Sequence, residues 1–481
     1  MTPYLHSTIL VTATLCALSA SRAEVKPMAL FSDHAVLQQG VPVPVWGKAD
    51  AGEKITVSYA GQSQTSTTGT DGHWIVKLDP LKGGVTDKLT IQGNNTVVAD
   101  DVITGEVWLC SGQSNMAKNV DYAMDAAKEK AEATYPSIRM FTVKPAPNAE
   151  PQTDCAGQWV VCSPAAVGNF SATAYYFGRD LFQALKTPVG LINSSVGGTP
   201  IQAWMSRTAL ETLADYDVIQ KNPDKGGLGR LYNGMIAPLA PYALRGVVWY
   251  QGERNTKAMP DRYTPWLEAL VKCWRGDWKQ DLPFCWVQLP NFMAPQVNPA
   301  DDEPWAVMRD SMLRALTIPH SGMAIALGTG EEKNIHPHNK QEVGRCLSLW
   351  ALAEVYGKKG IASSGPLPAS HEIKGHEVTI SFSHADGGLK AKDGKVTGFA
   401  ICGADQKWVW ADARIAGDKV IVSSAQVPQP VAVRYAWANN PIFSISNGQG
   451  LPASPFRTDN FPLKITAPAP GAKPSKATVP E

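Results

Sequence analysis

The feature that most constrains this chain is a long alternation of apolar runs with amphipathic helical patterns, beginning at Val102 and continuing to about residue 358. Apolar runs of five or six residues at Glu106–Cys110, Ile138–Val143, Val189–Asn193, Gly246–Tyr250, Pro283–Gln288 and Met323–Leu327 read as strands buried on both faces. Between them, Ala123–Thr134, Thr173–Leu185, Thr264–Trp274, Trp305–Leu316 and Lys340–Tyr356 carry the period of amphipathic helices. Strand and helix alternating in this way predict an α/β fold, a parallel sheet covered by helices on both faces. Ligands in such sheets bind beyond the carboxyl ends of the strands, so the loops after Cys110, Asn193, Tyr250 and Leu327 are expected to converge on one site.

The flanks have a different texture. Residues 24–101 hold short alternating runs, Val43–Trp46, Lys54–Tyr59, His73–Leu78 and Lys88–Ile91, separated by Gly, Asp and Asn turns, and predict an N-terminal β-sandwich. Residues 359–465 return to strands such as Glu377–Phe382, Lys407–Ala411, Lys419–Ser423 and Val431–Ala436, which predict a C-terminal β-rich region. The last stretch, 466–481, is Pro, Ala and Lys without an apolar period and is expected to be disordered. At the other end, Met1–Ala23 combines an apolar stretch with the small-x-small pattern Ser21-Arg22-Ala23, which reads as a signal peptide and predicts a periplasmic or secreted protein.

Charge and cysteine content narrow the function classes. With 44 Lys+Arg against 43 Asp+Glu the formal charge is +1, so no general field favours nucleic acid or an anionic membrane surface, and neither is expected as a partner. No run after the leader reaches the 18 or so apolar residues of a membrane span. The cysteines beyond the leader are Cys110, Cys155, Cys162, Cys273, Cys285, Cys346 and Cys402, with spacings that match no zinc pattern. Cys155 and Cys162 are close enough for a local disulfide; the alternative is that both are small buried hydrophobes.

Chemistry-bearing residues gather on the expected strand ends. After the first strand, Ser111–Met116 places Ser114 on a glycine-preceded strand-to-helix turn, where a serine serves either as helix cap or as nucleophile. After Asn193, Gly197 and Gly198 let backbone N–H groups approach a ligand and donate to an oxyanion. After Tyr250 come Gln251, Glu253, Arg254 and Asn255, a polar cluster directly behind an apolar strand. After Leu327, His336 and His338 precede the next helix, where a histidine can take a serine proton and return it to a leaving group. Serine and histidine on the first and last strand ends of one sheet point to serine esterase chemistry.

The blocks Gly105–Met116, Gly197–Trp204, Leu231–Leu239, Trp249–Asn255, Ile335–Gly344 and Gly450–Asp459 resemble the sialate O-acetylesterase family, in the family's order and across nearly the whole chain. The resemblance implies an SGNH-type hydrolase fold and removal of O-acetyl groups from an acetylated sugar or glycan, without metal or organic cofactor. Carried over residue by residue, it makes Ser114 the nucleophile and His336 the general base. The backbone N–H of Ser114, Gly198 and the side chain of Asn255 become the oxyanion donors, with Gln251 a weaker one. Related sequences usually carry Asp shortly before the His-Pro pair, where this chain reads Glu331-Glu332-Lys333-Asn334. The acid that orients His336 is therefore expected from Glu253, ranked first as part of a strand-end block, from Glu331, or from a backbone carbonyl. His338 is expected to face solvent or to start a helix. Trp204 and Arg254, with Trp249 and Tyr250, lie beside these loops and are candidates to stack on a sugar ring or hold a carboxylate, core packing being the other fate of the aromatics.

The same chemistry would serve acetylated xylan or another plant polysaccharide as well as sialic acid. A non-catalytic glycan-binding protein is the competing class; the missing Asp favours it, and the intact Ser114, Gly198, Asn255 and His336 oppose it. A protease or lipase is disfavoured, because Gly112-Gln113-Ser114-Asn115-Met116 is not a Gly-x-Ser-x-Gly elbow.

Overall fold

Seven strands form the main path of an eleven-stranded sheet: β1 (Thr96–Gly112), β2 (Ile138–Thr142), β3 (Trp159–Val161), β4 (Val189–Ser195), β5 (Gly246–Tyr250), β6 (Phe284–Gln288) and β7 (Ser321–Ile325). The computed structural model describes residues 24–221 and 227–465; the expected leader 1–23 and tail 466–481 lie outside the described residues. Across the sheet the order is β3-β2-β4-β1-β5-β6-β7. Every neighbouring pair is parallel except β2 and β3, which run antiparallel. The sheet is thus mixed, with one short antiparallel edge strand that three residues of sequence, Trp159-Val160-Val161, were too few to announce.

The chain leaves β1, passes to β2 two places away and on to the edge strand β3, returns to β4 directly beside β1, and then crosses to β5 on the other side. That reversal beside β1 is where α/β sheets open a crevice at their carboxyl ends. Burial along β1 from Val102 onward is continuous, and β5 and β6 are buried at every position, as strands covered on both faces must be. On one face Trp108 packs edge-on against Phe177 of α2 (Ala172–Leu185) and Trp350 of α5 (Lys340–Trp350). On the other, Trp249 packs against Trp274 of α3 (Tyr263–Trp278), and the Trp286 indole donates to Met312 O of α4 (Pro304–Arg314). The remaining helix of the site, α1 (Ser114–Ala117), is a single turn directly after β1.

β1 also belongs to the N-terminal part. Its first half pairs antiparallel with Thr86–Gln92, and the strand runs on through Asp101, which has φ +53°, into the parallel sheet. Arg139 of β2 and His34 both bond the Asp101 carboxylate, which fixes the kink. A three-stranded sheet of Lys26–Pro27, Val43–Lys48 and His73–Leu78 shares an apolar core with Lys54–Tyr59 and Thr86–Gln92, through Val45, Trp74, Val76, Ile55, Val57, Leu89 and Ile91. Alternating exposure along Lys54–Tyr59 and His73–Leu78 is the signature of strands with one face on that core.

Two four-stranded antiparallel sheets make up most of the C-terminal region. Buried arginines dock it. Arg309 of α4 donates to the carbonyls of Leu289, Pro290, Ala438 and Asn439, and burial holds its guanidinium at about 9. Arg434 pairs with Asp302 and Asp459, and Arg457 with Asp310 and Asp459. Cys155 and Cys162 are both free thiols, the second of the two alternatives: Cys162 is a buried hydrophobe donating weakly to Ala133 O. Among the described residues no helix is long and apolar enough to cross a membrane.

Candidate active site

The turn that carries Ser114 depends on a close crossing of two strand ends. Gly112 has φ +138°, and a Cβ there would lie 2.1 Å from Tyr250 O, so only glycine lets the end of β1 lie against β5. The Gln113 N–H then donates to Tyr250 O at 2.9 Å, and Ser114 opens α1 half-exposed. Its Oγ is 2.8 Å from Nε2 of His336, which comes from the loop between β7 and α5. The histidine therefore meets the serine directly, at the distance at which an imidazole removes a hydroxyl proton.

The glycine loop after β4 lies against the same turn. Val196 N–H donates to Gly112 O at 3.1 Å, and a Cβ on Gly197 would sit 3.4 Å from the Ser114 Cβ. Gly198 has φ +71°, a conformation that keeps the position for glycine. Among the described residues the backbone N–H groups of Ser114 and Gly198 donate to no other group. Asn255 is buried nearby, its Oδ1 accepting from Ile201 N–H at 3.0 Å and Gln251 Nε2 at 2.8 Å. Those two bonds fix which end of the amide is nitrogen, and one of its two hydrogens goes to Gln202 Oε1 at 3.0 Å.

The electrostatics suit a base. Burial, with the positive charges of Lys118 and Lys340, holds the His336 imidazole at about 4, so the ring is neutral at neutral pH with Nε2 available as acceptor. Among the described residues no group of three or more His, Cys, Asp or Glu could hold a metal ion.

A family model described as carbohydrate esterase, sialic acid-specific acetylesterase, matches residues 104–349, which contain all of these groups. Sialate O-acetylesterases from Rattus norvegicus and Homo sapiens are each 31% identical to this chain, covering 89% and 88% of it and 93% and 90% of their own lengths. A solved carbohydrate acetylesterase from Xanthomonas citri superposes with a TM-score of 0.85 at 36% identity, over 91% of this chain and all of the other. The chain belongs to the sialate O-acetylesterase family.

Within this carbohydrate esterase, several residues with an expected role at the site are engaged elsewhere. Gln251 is fully buried and its amide hydrogens face three acceptors, Gln113 Oε1, Thr199 O and Asn255 Oδ1, while its own oxygen accepts from Tyr263; it braces Asn255 and has no N–H left for an oxyanion. Glu253 does not reach His336. Its carboxylate accepts from Asn115 Nδ2, its second oxygen has no partner, and burial raises its pKa. Glu331 serves the other histidine: it accepts from His338 N–H and pairs with His338 Nδ1, both at 2.7 Å, and these bonds hold its carboxyl below the usual range. His338 is exposed just before α5, its ring stacked on Tyr122 at 4.6 Å, as a solvent-facing helix-start residue would be.

Trp204 is a core residue. It is 0% exposed, donates to Thr199 Oγ1 at 3.0 Å and packs edge-on against Trp249, so it offers no face to a sugar. Trp249 and Tyr250 are buried likewise. Arg254 is the one of these four that is partly exposed, its backbone N–H donating to Gln113 Oε1.

Four residues next to the site carry no expectation from sequence: Asn115, Lys118, Tyr122 and Lys340. Asn115 and Lys340 sit inside the blocks Gly105–Met116 and Ile335–Gly344, so block membership was the available signal. Lys118 and Tyr122 follow the first block, in a loop that local pattern leaves silent. Lys118 Nζ lies 4.3 Å above the Tyr122 ring, and the Tyr122 hydroxyl donates to His336 O at 2.7 Å.

Proposed function

We propose that this carbohydrate esterase removes acetyl groups from sugar hydroxyls through a covalent acetyl-enzyme on Ser114. The observation that carries the reading is the 2.8 Å approach of Ser114 Oγ to His336 Nε2 in a loop-lined, half-exposed site. His336 takes the hydroxyl proton as Oγ attacks the acetyl carbonyl. The oxyanion that forms is met by the Ser114 and Gly198 N–H groups and by the second amide hydrogen of Asn255. Collapse of the tetrahedral intermediate expels the sugar oxygen, which receives the proton from His336. Water then attacks the acetyl-enzyme with His336 again as base, releasing acetate and restoring the serine.

The order Ser114, Gly198, Asn255, His336 along the strand ends of one α/β sheet supports an SGNH-type assignment. Arg254 is the candidate for meeting a sugar substituent, as a partly exposed residue whose backbone N–H is held by Gln113 next to Ser114. The substrate class follows from kinship: the mammalian relatives are named for sialate O-acetyl esters and the Xanthomonas citri relative for carbohydrate acetyl esters. An acetylated sugar in an exported compartment, reached through the Met1–Ala23 leader, is the expected setting.

The test is acetate release by the purified protein from an O-acetylated sialic acid and from acetylated xylan oligosaccharides, with Ser114→Ala as control. Release that disappears in the variant supports the serine mechanism, and preference between the two substrates assigns the sugar. No release from either, nor from a small activated acetate ester, overturns the catalytic reading and favours glycan binding.

A further inference from the structure

A general-base histidine must present one nitrogen at a fixed angle, and serine hydrolases usually achieve this with a carboxylate on the other nitrogen. Here, among the described residues, no carboxylate and no carbonyl bonds Nδ1 of His336: Glu253 is bonded to Asn115 and Glu331 to His338. The peptide groups around the histidine are held instead. Ile335 O accepts from Asn115 Nδ2 at 3.1 Å, His336 N–H donates to Asn334 Oδ1 at 3.0 Å, and His336 O accepts from the Tyr122 hydroxyl at 2.7 Å. Asn334 Nδ2 donates in turn to the Tyr122 oxygen at 2.8 Å, which closes a ring of bonds around one residue.

Each arm is itself fixed. Asn115 donates to Glu253 and accepts from the buried Lys340 ammonium, so its amide cannot turn over without placing like groups face to face. Tyr122 is gripped between the His338 ring and the Lys118 ammonium. Asn334 has a second anchor in Glu331 Oε2 at 3.1 Å.

We propose that Asn115, Tyr122 and Asn334 are positioning residues for His336: by clamping the backbone on both sides of it they do the orienting work that an acid on the imidazole does elsewhere. The proposal rests on the reading of His336 as the base. It gives a physical account of how a histidine with no acid on Nδ1 is kept 2.8 Å from the serine. Backbone clamping fixes the place of the ring, and an Nδ1 without an acid leaves the ring without a counter-charge as it becomes imidazolium.

The experiment compares Tyr122→Phe, Asn334→Ala and Asn334→Asp with the parent enzyme, each alone and the first combined with His336→Ala, reading kcat and KM for a small acetate ester together with Tm. Tyr122→Phe keeps the ring stacked on His338 and removes only the hydroxyl. The expected result is a fall in kcat of about tenfold or more for Tyr122→Phe and Asn334→Ala, with KM within about twofold, the pattern of a base displaced from its working position. Asn334→Asp keeps an acceptor for His336 N–H and should recover part of the loss. In a His336→Ala background, Tyr122→Phe should cost nothing further, because the group it positions is gone. Full activity of Tyr122→Phe and Asn334→Ala beside an inactive His336→Ala overturns the clamp alone. An active His336→Ala overturns the assignment of the base itself.

Discussion

Glu253 and Asn115 are joined by a hydrogen bond between two buried side chains, and the same Asn115 amide accepts from the Lys340 ammonium on its other end. A single neutral amide thus separates a buried carboxylate from a buried amine, one residue along the chain from Ser114. Burial raises the carboxylic acid and lowers Lys340 to about 7, each group resisting charge in an apolar setting while its opposite number partly compensates. Such a cluster is costly to break, because removing one member leaves the others buried and unpaired.

From this, Glu253→Ala should lose about 2–4 kcal/mol of stability, since it leaves a cavity and strips Asn115 Nδ2 of an acceptor. Glu253→Gln keeps the volume and an accepting oxygen and should lose less than half as much. Urea unfolding followed by tryptophan fluorescence measures both. Equal losses would mean that the charge of Glu253, and not its shape or hydrogen bond, carries its contribution.

The pH dependence follows from His336. An imidazole held at about 4 is protonated, and useless as a base, only below that pH, so kcat/KM should rise through an acid limb near pH 4 and be level above it. Lys118 disfavours the imidazolium by its like charge. Lys118→Gln removes that repulsion, raises the histidine's pKa and should move the limb to higher pH. A limb near 6.5 in the parent enzyme, unmoved by the substitution, would show that neither burial nor Lys118 governs the base.

Two glycines make opposite predictions. Gly112→Ala forces a Cβ to within 2.1 Å of Tyr250 O at φ +138°, so β1 and β5 must separate at the turn that carries Ser114. A loss of about 3 kcal/mol or more, with activity gone, is expected. Gly276 is exposed in α3, and a methyl group added to it would meet nothing within 4 Å, so Gly276→Ala should instead gain roughly 0.5–1 kcal/mol. Thermal unfolding of the two variants side by side checks the contrast.

What could be read from the sequence is what local pattern encodes. The strand Gly246–Tyr250 has the expected ends, and Thr173–Leu185 is one residue short of the observed helix, because buried runs and amphipathic periods are written in consecutive residues. The meeting of Ser114 with His336 was legible too, since strand-end placement in a parallel sheet is a topological consequence of the alternation. The partner of Glu253 was not. Whether a buried carboxylate faces an imidazole or an amide 138 residues away depends on side-chain directions that no local pattern carries. The start of β1 was missed for a different reason: Asp100 and Asp101 interrupt the apolar run, and Arg139 and His34, far apart in sequence, are what hold Asp101 within the strand. Trp204 beside a glycine loop was open to stacking on a sugar or to packing in a core, the commoner fate of a tryptophan.

The structure decides that last case, and the decision can be measured. Trp204 is enclosed: its indole N–H is satisfied by Thr199, its carbonyl accepts from the Trp274 indole at 2.9 Å, and its ring meets Trp249 with centroids 6.1 Å apart. Trp204→Ala should therefore lose about 3–5 kcal/mol, while Trp204→Phe, which keeps much of the volume, should lose less and leave KM for an acetylated sugar unchanged. On the proposed role of Arg254, Arg254→Ala should do the reverse, raising KM for the sugar more than for a small acetate ester, which has no sugar substituent to meet it. Steady-state kinetics on the two esters, paired with urea midpoints, separates the roles: a KM increase confined to the sugar in Trp204→Phe would place the indole in the binding site after all.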